Sequence, residues 1–106
     1  MISHINSIIF EGIVDGALSV SIDDHRCEFS VVSARYHNQS GSVVVEESTM
    51  TTVTWGRLAE RCIKFLSHGS RVRVIGQIKQ YGSEIKILAE HVEIVPAAKD
   101  HEETER

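Results

Sequence analysis

The chain has 106 residues, enough for a single domain with a modest hydrophobic core. Hydrophobic residues make up 42% and charged residues 25%, a balance typical of globular proteins and unlike that of disordered or membrane-spanning chains. The formal net charge of −4 argues at first sight against nucleic-acid binding, but positive charge is concentrated in one stretch. Residues 57–86 carry seven basic and two acidic side chains, so they could form a basic surface on an acidic protein.

Three β-strands are predicted in the first half of the chain. The first, residues 5–14, is rich in β-branched residues and contains Gly12, which inside a strand indicates a bend or bulge. The second, residues 26–34, alternates between apolar and polar positions; a loop at 36–42 separates it from the third, residues 43–55, which is rich in valine and threonine. Ahead of these strands there is no basic region followed by a long apolar stretch, so we expect no signal peptide and no membrane association.

The sequence of the third strand leaves open which of its faces points inward. If Met50, Thr52 and Thr54 point into the core, Trp55 lies on the outer surface, where an aromatic ring could stack on a ligand. If the other face points inward, Trp55 is a core residue. Both alternatives fit the alternation of the strand.

The hydrophobic period changes from that of a strand to that of a helix in residues 56–66. Charged side chains fall on one face and apolar side chains on the other, which predicts an amphipathic helix of about three turns. Gly69 then supplies a stop signal. The predicted apolar face consists of Leu58, Ala59, Cys62, Phe65 and Leu66.

Two more strands, residues 71–79 and 84–95, are predicted to form a hairpin around a tight turn at 81–83. In the last strand the apolar residues move from odd to even positions. This switch predicts a β-bulge near Glu90 and His91.

The order of these elements is β-β-β-α-β-β. Five strands with one helix between the third and the fourth predict an all-β fold, a five-stranded OB-fold Greek-key barrel. The domain is expected to span residues 1–96. Residues 97–106 are polar and lack an apolar anchor, so we expect a flexible C-terminal tail.

Residue types that perform catalysis or bind metals are present without the spacing that either task requires. The two cysteines, Cys27 and Cys62, lie 35 residues apart, and the six histidines show no ligand spacing, so we expect no metal and no other cofactor. Carboxylate pairs at 23–24 and 46–47 are interpreted as solvated. Without a P-loop, nucleophile elbow or HExxH motif, the chain is not expected to be an enzyme. The two cysteines are expected to be buried free thiols.

Four short motifs occur along the chain in a fixed order. They are Asn6-x-Ile8-Ile9-x-x-Gly12, Glu28-Phe29-Ser30, Trp55-Gly56-Arg57-Leu58-Ala59-Glu60 with Phe65-Leu66-x-x-Gly69-Ser70, and Val72-x-Val74-x-Gly76. In this order and spacing they resemble the bacterial single-stranded DNA-binding protein family, where the second motif reads Asn-Phe-Ser and the third begins Phe-Gly-Lys. The resemblance covers roughly residues 1–95.

The resemblance implies an OB-fold protein that binds single-stranded DNA with little sequence preference during replication, repair or recombination. It implies a homo-oligomer, and a tetramer is expected in preference to a dimer. A member would be cytoplasmic and associated with the bacterial nucleoid, with other replication proteins as candidate partners.

The resemblance also implies where bases would stack. Two of the aromatic positions of the family fall on Tyr36 and Trp55, and Tyr81 is the aromatic residue nearest to a third position in the last hairpin. A further stacking position falls on Thr49, which cannot stack. The resemblance implies that two basic residues of the family that contact DNA correspond to basic residues in this chain, Arg57 and Lys79.

Basic residues of the last two strands add a predicted phosphate track. Arg71, Arg73 and Lys79 share one face of the fourth strand, the arrangement that a phosphate backbone would follow. Ile75 lies on the same face, which is unusual in solvent and indicates cover by a subunit partner. The predicted phosphate contacts are Arg57, Arg71, Arg73, Lys79 and Lys86.

A second interpretation is an OB dimer similar to primosomal replication protein N, which acts mainly through protein partners in replication restart. Residues 87–94 resemble the last strand of that family. The predicted helix at 56–66 argues against it, because that family lacks a matching Leu-Ala-Glu helix.

Overall fold

Five strands and one helix follow one another in the predicted order, in a computed structural model that describes residues 1–96. The elements are β1 (Ile8–Ser21), β2 (Arg26–Gln39), β3 (Ser42–Trp55), α1 (Gly56–Phe65), β4 (Arg71–Tyr81) and β5 (Glu84–Ile94). The tail predicted for residues 97–106 lies outside the described residues.

The strands close into a barrel in the order β1-β2-β3-β5-β4, and β1 completes it by pairing with both β2 and β4. Neighbouring strands are antiparallel, except for a short parallel pairing of β3 with β5. Five strands with this connectivity and a helix between β3 and β4 form an OB-fold, which confirms the predicted fold class.

Alternate residues of the strands point into the barrel and form its core. Cys27 and Phe29 of β2 are buried, as the alternation of that strand predicts. Helix α1 packs against β2, β3 and β5 and adds Ala59 and Cys62 to the same core. The apolar face of α1 therefore completes the interior that the strands enclose.

Phe65 does not join this core, contrary to the prediction, and its side chain is 55% exposed. The helix ends at Phe65, and the backbone becomes extended at Leu66, with φ −102° and ψ 148°. Leu66 is buried, whereas Phe65 stays at the surface with the Lys64 ammonium 5.4 Å from its ring centroid. The helical period thus predicts one residue too many for the buried face.

Two glycines allow strands to approach each other closely. A Cβ atom on Gly12 would lie 2.2 Å from the carbonyl oxygen of Val32, and one on Gly76 would lie 2.1 Å from that of Leu88. Gly12 therefore serves a close backbone approach, and the register of β1 with β4 is regular at this residue, so the predicted bulge is not at Gly12. The irregular register of β1 with β2 lies further along, between residues 15 and 19.

The predicted bulge in β5 is confirmed. Ile75 of β4 pairs with His91, while the next residue, Gly76, pairs with Ala89. Glu90 is thus the extra residue of β5, and its insertion explains why the apolar positions change from odd to even.

The prediction of a loop at 36–42 is wrong for most of these residues, which form strands. Residues 36–39 pair with residues 42–45 in an antiparallel ribbon, and only Ser40 and Gly41, both with positive φ, form the turn. The valines at 43–45 favour the extended conformation and continue the ladder to the turn. Tyr36 consequently lies on a strand.

Both cysteines are buried free thiols, as predicted. Burial raises the pKa of the Cys62 thiol to about 11 and also raises the pKa of Cys27. Both thiols are therefore protonated, weak nucleophiles at neutral pH.

Within residues 1–96, no helix is long and apolar enough to cross a membrane. In the same part of the chain, no three His, Cys, Asp or Glu side chains are grouped so that they could hold a metal ion.

Candidate nucleic-acid interface

Trp55 lies on the outer surface of the barrel, at the end of β3. Thr52 and Thr54 are fully buried and Met50 packs against the core, so these residues form the inward face of β3. The Thr54 hydroxyl donates a hydrogen bond of 2.8 Å to the carbonyl oxygen of Cys27, which fixes the register of β3 against β2. Trp55 therefore points outward, and 45% of its surface is exposed.

A cation covers part of the Trp55 ring. Arg26 is the cross-strand partner of Trp55, and its guanidinium carbon lies 5.4 Å from the ring centroid. This distance is that of a cation–π contact. Sequence analysis missed Arg26, because only the register of β2 against β3 brings the two residues together across the sheet.

Tyr81 forms a second aromatic position at the end of β4. Lys79 and Lys86 are cross-strand partners in the β4–β5 hairpin, and each ammonium lies 5.4 Å from the Tyr81 ring centroid. Tyr81 is half-buried and Lys79 is exposed. The structure thus brings three predicted site residues together.

Glu28 connects these two aromatic positions. Its carboxylate forms an ion pair with Arg26 and lies 3.3 Å from the ammonium of Lys86. The contacts run without a break from Trp55 to Lys79. We call this surface the aromatic platform; it consists of Trp55, Arg26, Glu28, Lys86, Tyr81 and Lys79.

Arg71 and Arg73 share the outer face of β4 with Lys79 but lie toward its other end. Lys79 lies eight positions further along the strand than Arg71, or about 26 Å away at about 3.3 Å per residue. Arg73 contacts the carboxylates of Glu11 at 2.6 Å and Glu93 at 2.9 Å. Hydrogen bonds and charge attraction from Glu11, and then from Glu93, raise the pKa of Arg73 further above its usual value.

The predicted phosphate track is therefore interrupted in the middle by a neutralised arginine. Arg71 is exposed and forms no ion pair within residues 1–96. Its charge is available to a ligand, whereas that of Arg73 is already compensated.

Tyr36 and Arg71 line one depression, and no residue of the aromatic platform lines it. Both residues line a shallow depression of about 320 Å³ over the outer face of β1, together with Ile13 and Val32. Tyr36 is 71% exposed, so its ring is free for contact with a planar ligand. The predicted stacking residues thus fall on two separate surfaces.

Arg57 lies in the first turn of α1, two residues after Trp55. It is exposed and takes part in no ion pair with any residue between 1 and 96. The backbone that precedes it is anchored, because the Gly56 N–H donates a 2.8 Å hydrogen bond to the carbonyl oxygen of His25. Thr49, the position where the resembling family stacks a base, is exposed on β3.

Comparison with known proteins agrees with this fold. The sequence model of the single-strand binding protein family matches residues 13–95. No protein with a curated description matches the chain significantly.

Solved structures of single-stranded DNA-binding proteins have the same fold. A small single-stranded DNA-binding protein from Streptomyces coelicolor has a TM-score of 0.72 at 16% identity, covering 88% of this chain and 96% of that one. The Plasmodium falciparum SSB in complex with ssDNA has a TM-score of 0.73 at 14% identity, covering 91% and 99%. A deletion mutant of the Thermus aquaticus single-stranded DNA binding protein has a TM-score of 0.72 at 14% identity, covering 88% and 51%.

Proposed function

The chain belongs to the single-strand binding protein family, and from this premise we propose that it binds single-stranded DNA with little sequence preference, as a binding module and not as an enzyme. The observation that carries the proposal is the aromatic platform, where Trp55 and Tyr81 are both flanked by cations on one outer surface. Aromatic rings stack on any base, and cations attract any phosphate.

Stacking on the aromatic platform supplies affinity without reading sequence. Every base has a π-face, and stacking on an aromatic side chain contributes about 1–3 kcal/mol per base. Tyr36 on a separate surface is a third candidate for stacking, because its ring is exposed and lines the same depression as Arg71.

Phosphate contacts are proposed for the cations that no carboxylate compensates. Arg57, Arg71 and Lys79 are exposed and form no ion pair with other described residues. Arg73 and Lys86 are predicted contacts that carboxylates already compensate. The number of effective phosphate contacts is therefore smaller than the count of basic residues in 57–86 suggests.

Two arginines of β4 offer a matched test of this distinction. We expect Arg71→Gln to reduce the slope of log affinity against log salt for oligo-dT by about 0.7, the value for one phosphate contact on a single strand. Arg73→Gln removes the same charge two residues away but should leave the slope unchanged, because Glu11 and Glu93 already compensate it. Equal losses in both variants, or no loss for Arg71→Gln, would contradict the assignment.

Cellular roles follow from single-strand binding. We propose participation in DNA replication, repair and recombination in the bacterial cytoplasm, at the nucleoid and beside other replication proteins. The primosomal replication protein N alternative is not favoured, because the family that matches the chain is the single-strand binding protein family. Helix α1 also lies where that alternative lacks a matching helix.

We further propose that the chain forms a homo-oligomer, a tetramer more than a dimer. Ile9 is exposed and pairs across the sheet with Ile75, so two large apolar side chains are neighbours on the outer face of β1 and β4. Burying such a pair against a second copy would remove apolar surface from water. The exposed apolar pair and the family resemblance both support a homo-oligomer.

Solution mass tests assembly and binding together. Light scattering should give about four times the 11.8 kDa chain mass, and oligo-dT should add the mass of at least one strand per assembly. A single-chain mass would contradict the assembly, and no added mass at low salt would contradict DNA binding.

A further inference from the structure

We propose that Glu28 limits the phosphate contacts of the aromatic platform, so that a bound strand is held there by base stacking more than by charge. The proposal rests on the single-strand binding proposed above. It identifies Glu28 as a residue that determines affinity and salt dependence, through the two cations that its carboxylate holds.

The position of Glu28 makes its ion pairs stronger than those of an exposed carboxylate. Its side chain is 16% exposed, that of Lys86 is 15% exposed and that of Arg26 is 30% exposed. Solvent and salt screen partly buried charges less than charges at the surface. Arg26 and Lys86 are therefore held by Glu28 at salt concentrations where surface pairs contribute little.

Each of the two cations is also fixed from a second side. The Lys86 ammonium lies 3.4 Å from the carboxylate of Glu84 and 5.4 Å from the Tyr81 ring centroid. Arg26 is fixed between Glu28 and the ring of Trp55. A phosphate would have to displace these partners.

Displacement of Glu28 has a cost of its own. A phosphate that took either Arg26 or Lys86 would leave the partly buried Glu28 carboxylate with one cation instead of two, and the loss of a partner from a partly buried charge is unfavourable. Lys79 lies at the same distance from the Tyr81 ring as Lys86 but forms no ion pair with any residue in 1–96. We infer that phosphates contact Lys79 and leave Lys86 and Arg26 with Glu28.

Replacing Glu28 by glutamine tests the proposal, since the amide keeps the shape and removes the charge. Glu84 is 71% exposed, so solvent screens its pair with Lys86, and Glu28 is the carboxylate that holds this lysine. With Arg26 and Lys86 released from Glu28, we expect the salt slope for oligo-dT binding to steepen by about 1.4, from about 0.7 for each new phosphate contact. Affinity at low salt should rise about tenfold or more. Glu90→Gln, at the exposed bulge of β5, makes the same change in net charge and should leave the slope unaltered.

Lys86→Gln gives a second and independent test. Because Lys86 is held by Glu28 in the wild-type protein, its removal alone should not change the salt slope. In the double variant Glu28→Gln/Lys86→Gln, the slope should rise by only about 0.7. Thermal unfolding of each variant establishes that the binding data come from folded protein.

The outcomes separate this proposal from the function on which it rests. If wild-type protein binds oligo-dT and Glu28→Gln has the wild-type slope, or if Lys86→Gln alone lowers the slope by about 0.7, the role of Glu28 is wrong and single-strand binding stands. If the wild-type protein does not bind oligo-dT at low salt, both proposals fall.

Discussion

Replacement of Trp55 by alanine should weaken oligo-dT binding by about 5- to 150-fold, the equivalent of about 1–3 kcal/mol for one stacked base. The ring is 45% exposed at the end of β3, with the guanidinium of Arg26 in cation–π contact. Removing the ring removes the stacking surface and leaves Arg26 with Glu28. Because the inward face of β3 is unchanged, the fold should persist. Anisotropy of labelled oligo-dT measures the change without relying on tryptophan.

Phe65→Ala is the matched control for this variant. Phe65 is also an exposed aromatic residue, and its ring also has a cation at 5.4 Å, the ammonium of Lys64. It lies at the other end of α1 from Trp55, so its removal should leave affinity for oligo-dT unchanged. Similar losses of oligo-dT affinity in both variants would show that the loss does not depend on a base stacked on Trp55. Unfolding of Trp55→Ala would show that Trp55 has a structural role.

Replacement of Gly76 by alanine should destabilise the barrel by about 3 kcal/mol or more, at the upper end of what overpacking costs. The added Cβ would lie 2.1 Å from the carbonyl oxygen of Leu88 and 2.9 Å from the Cα of Ala89. Both atoms belong to the backbone of β5, so no side chain can move aside. Relief requires β4 and β5 to separate beside the bulge. Urea unfolding monitored by circular dichroism gives the change in free energy of unfolding.

Gly41→Ala separates this effect from the general cost of replacing glycine. Gly41 lies in the β2–β3 turn with φ +82°, and a Cβ added there meets no atom within 4 Å. Only the left-handed backbone opposes the change, at about 1–2 kcal/mol. If Gly76→Ala cost no more than Gly41→Ala, the close approach of β4 and β5 would not be the reason for glycine at position 76.

The sequence alone predicts the order of the elements, the helix and the bulge in β5, because each depends on local periodicity. The bulge at Glu90 follows from a switch between odd and even apolar positions. The loop at 36–42 was predicted wrongly, because pairing across the ribbon overrides the turn-forming preferences of its residues. The helical period predicts a core position for Phe65, because a period does not show where the helix ends.

The sequence predicts only part of the candidate site. The sequence leaves two alternatives for Trp55, and the structure selects the outward one, because 45% of the Trp55 surface is exposed. The carboxylates that compensate Arg73 come from other strands, and Glu11 is 62 residues away. Such pairings depend on strand register. Counting charges in 57–86 therefore overestimates the cations available to DNA.

Intrinsic fluorescence tests the central claim most directly, since Trp55 is the only tryptophan of the chain. Titration of the wild-type protein with oligo-dT at low salt should quench its emission to saturation, because a base stacked on Trp55 contacts the fluorophore. A DNA duplex of equal length should quench it far less. Unchanged emission, together with no oligo-dT binding at low salt, would contradict the account.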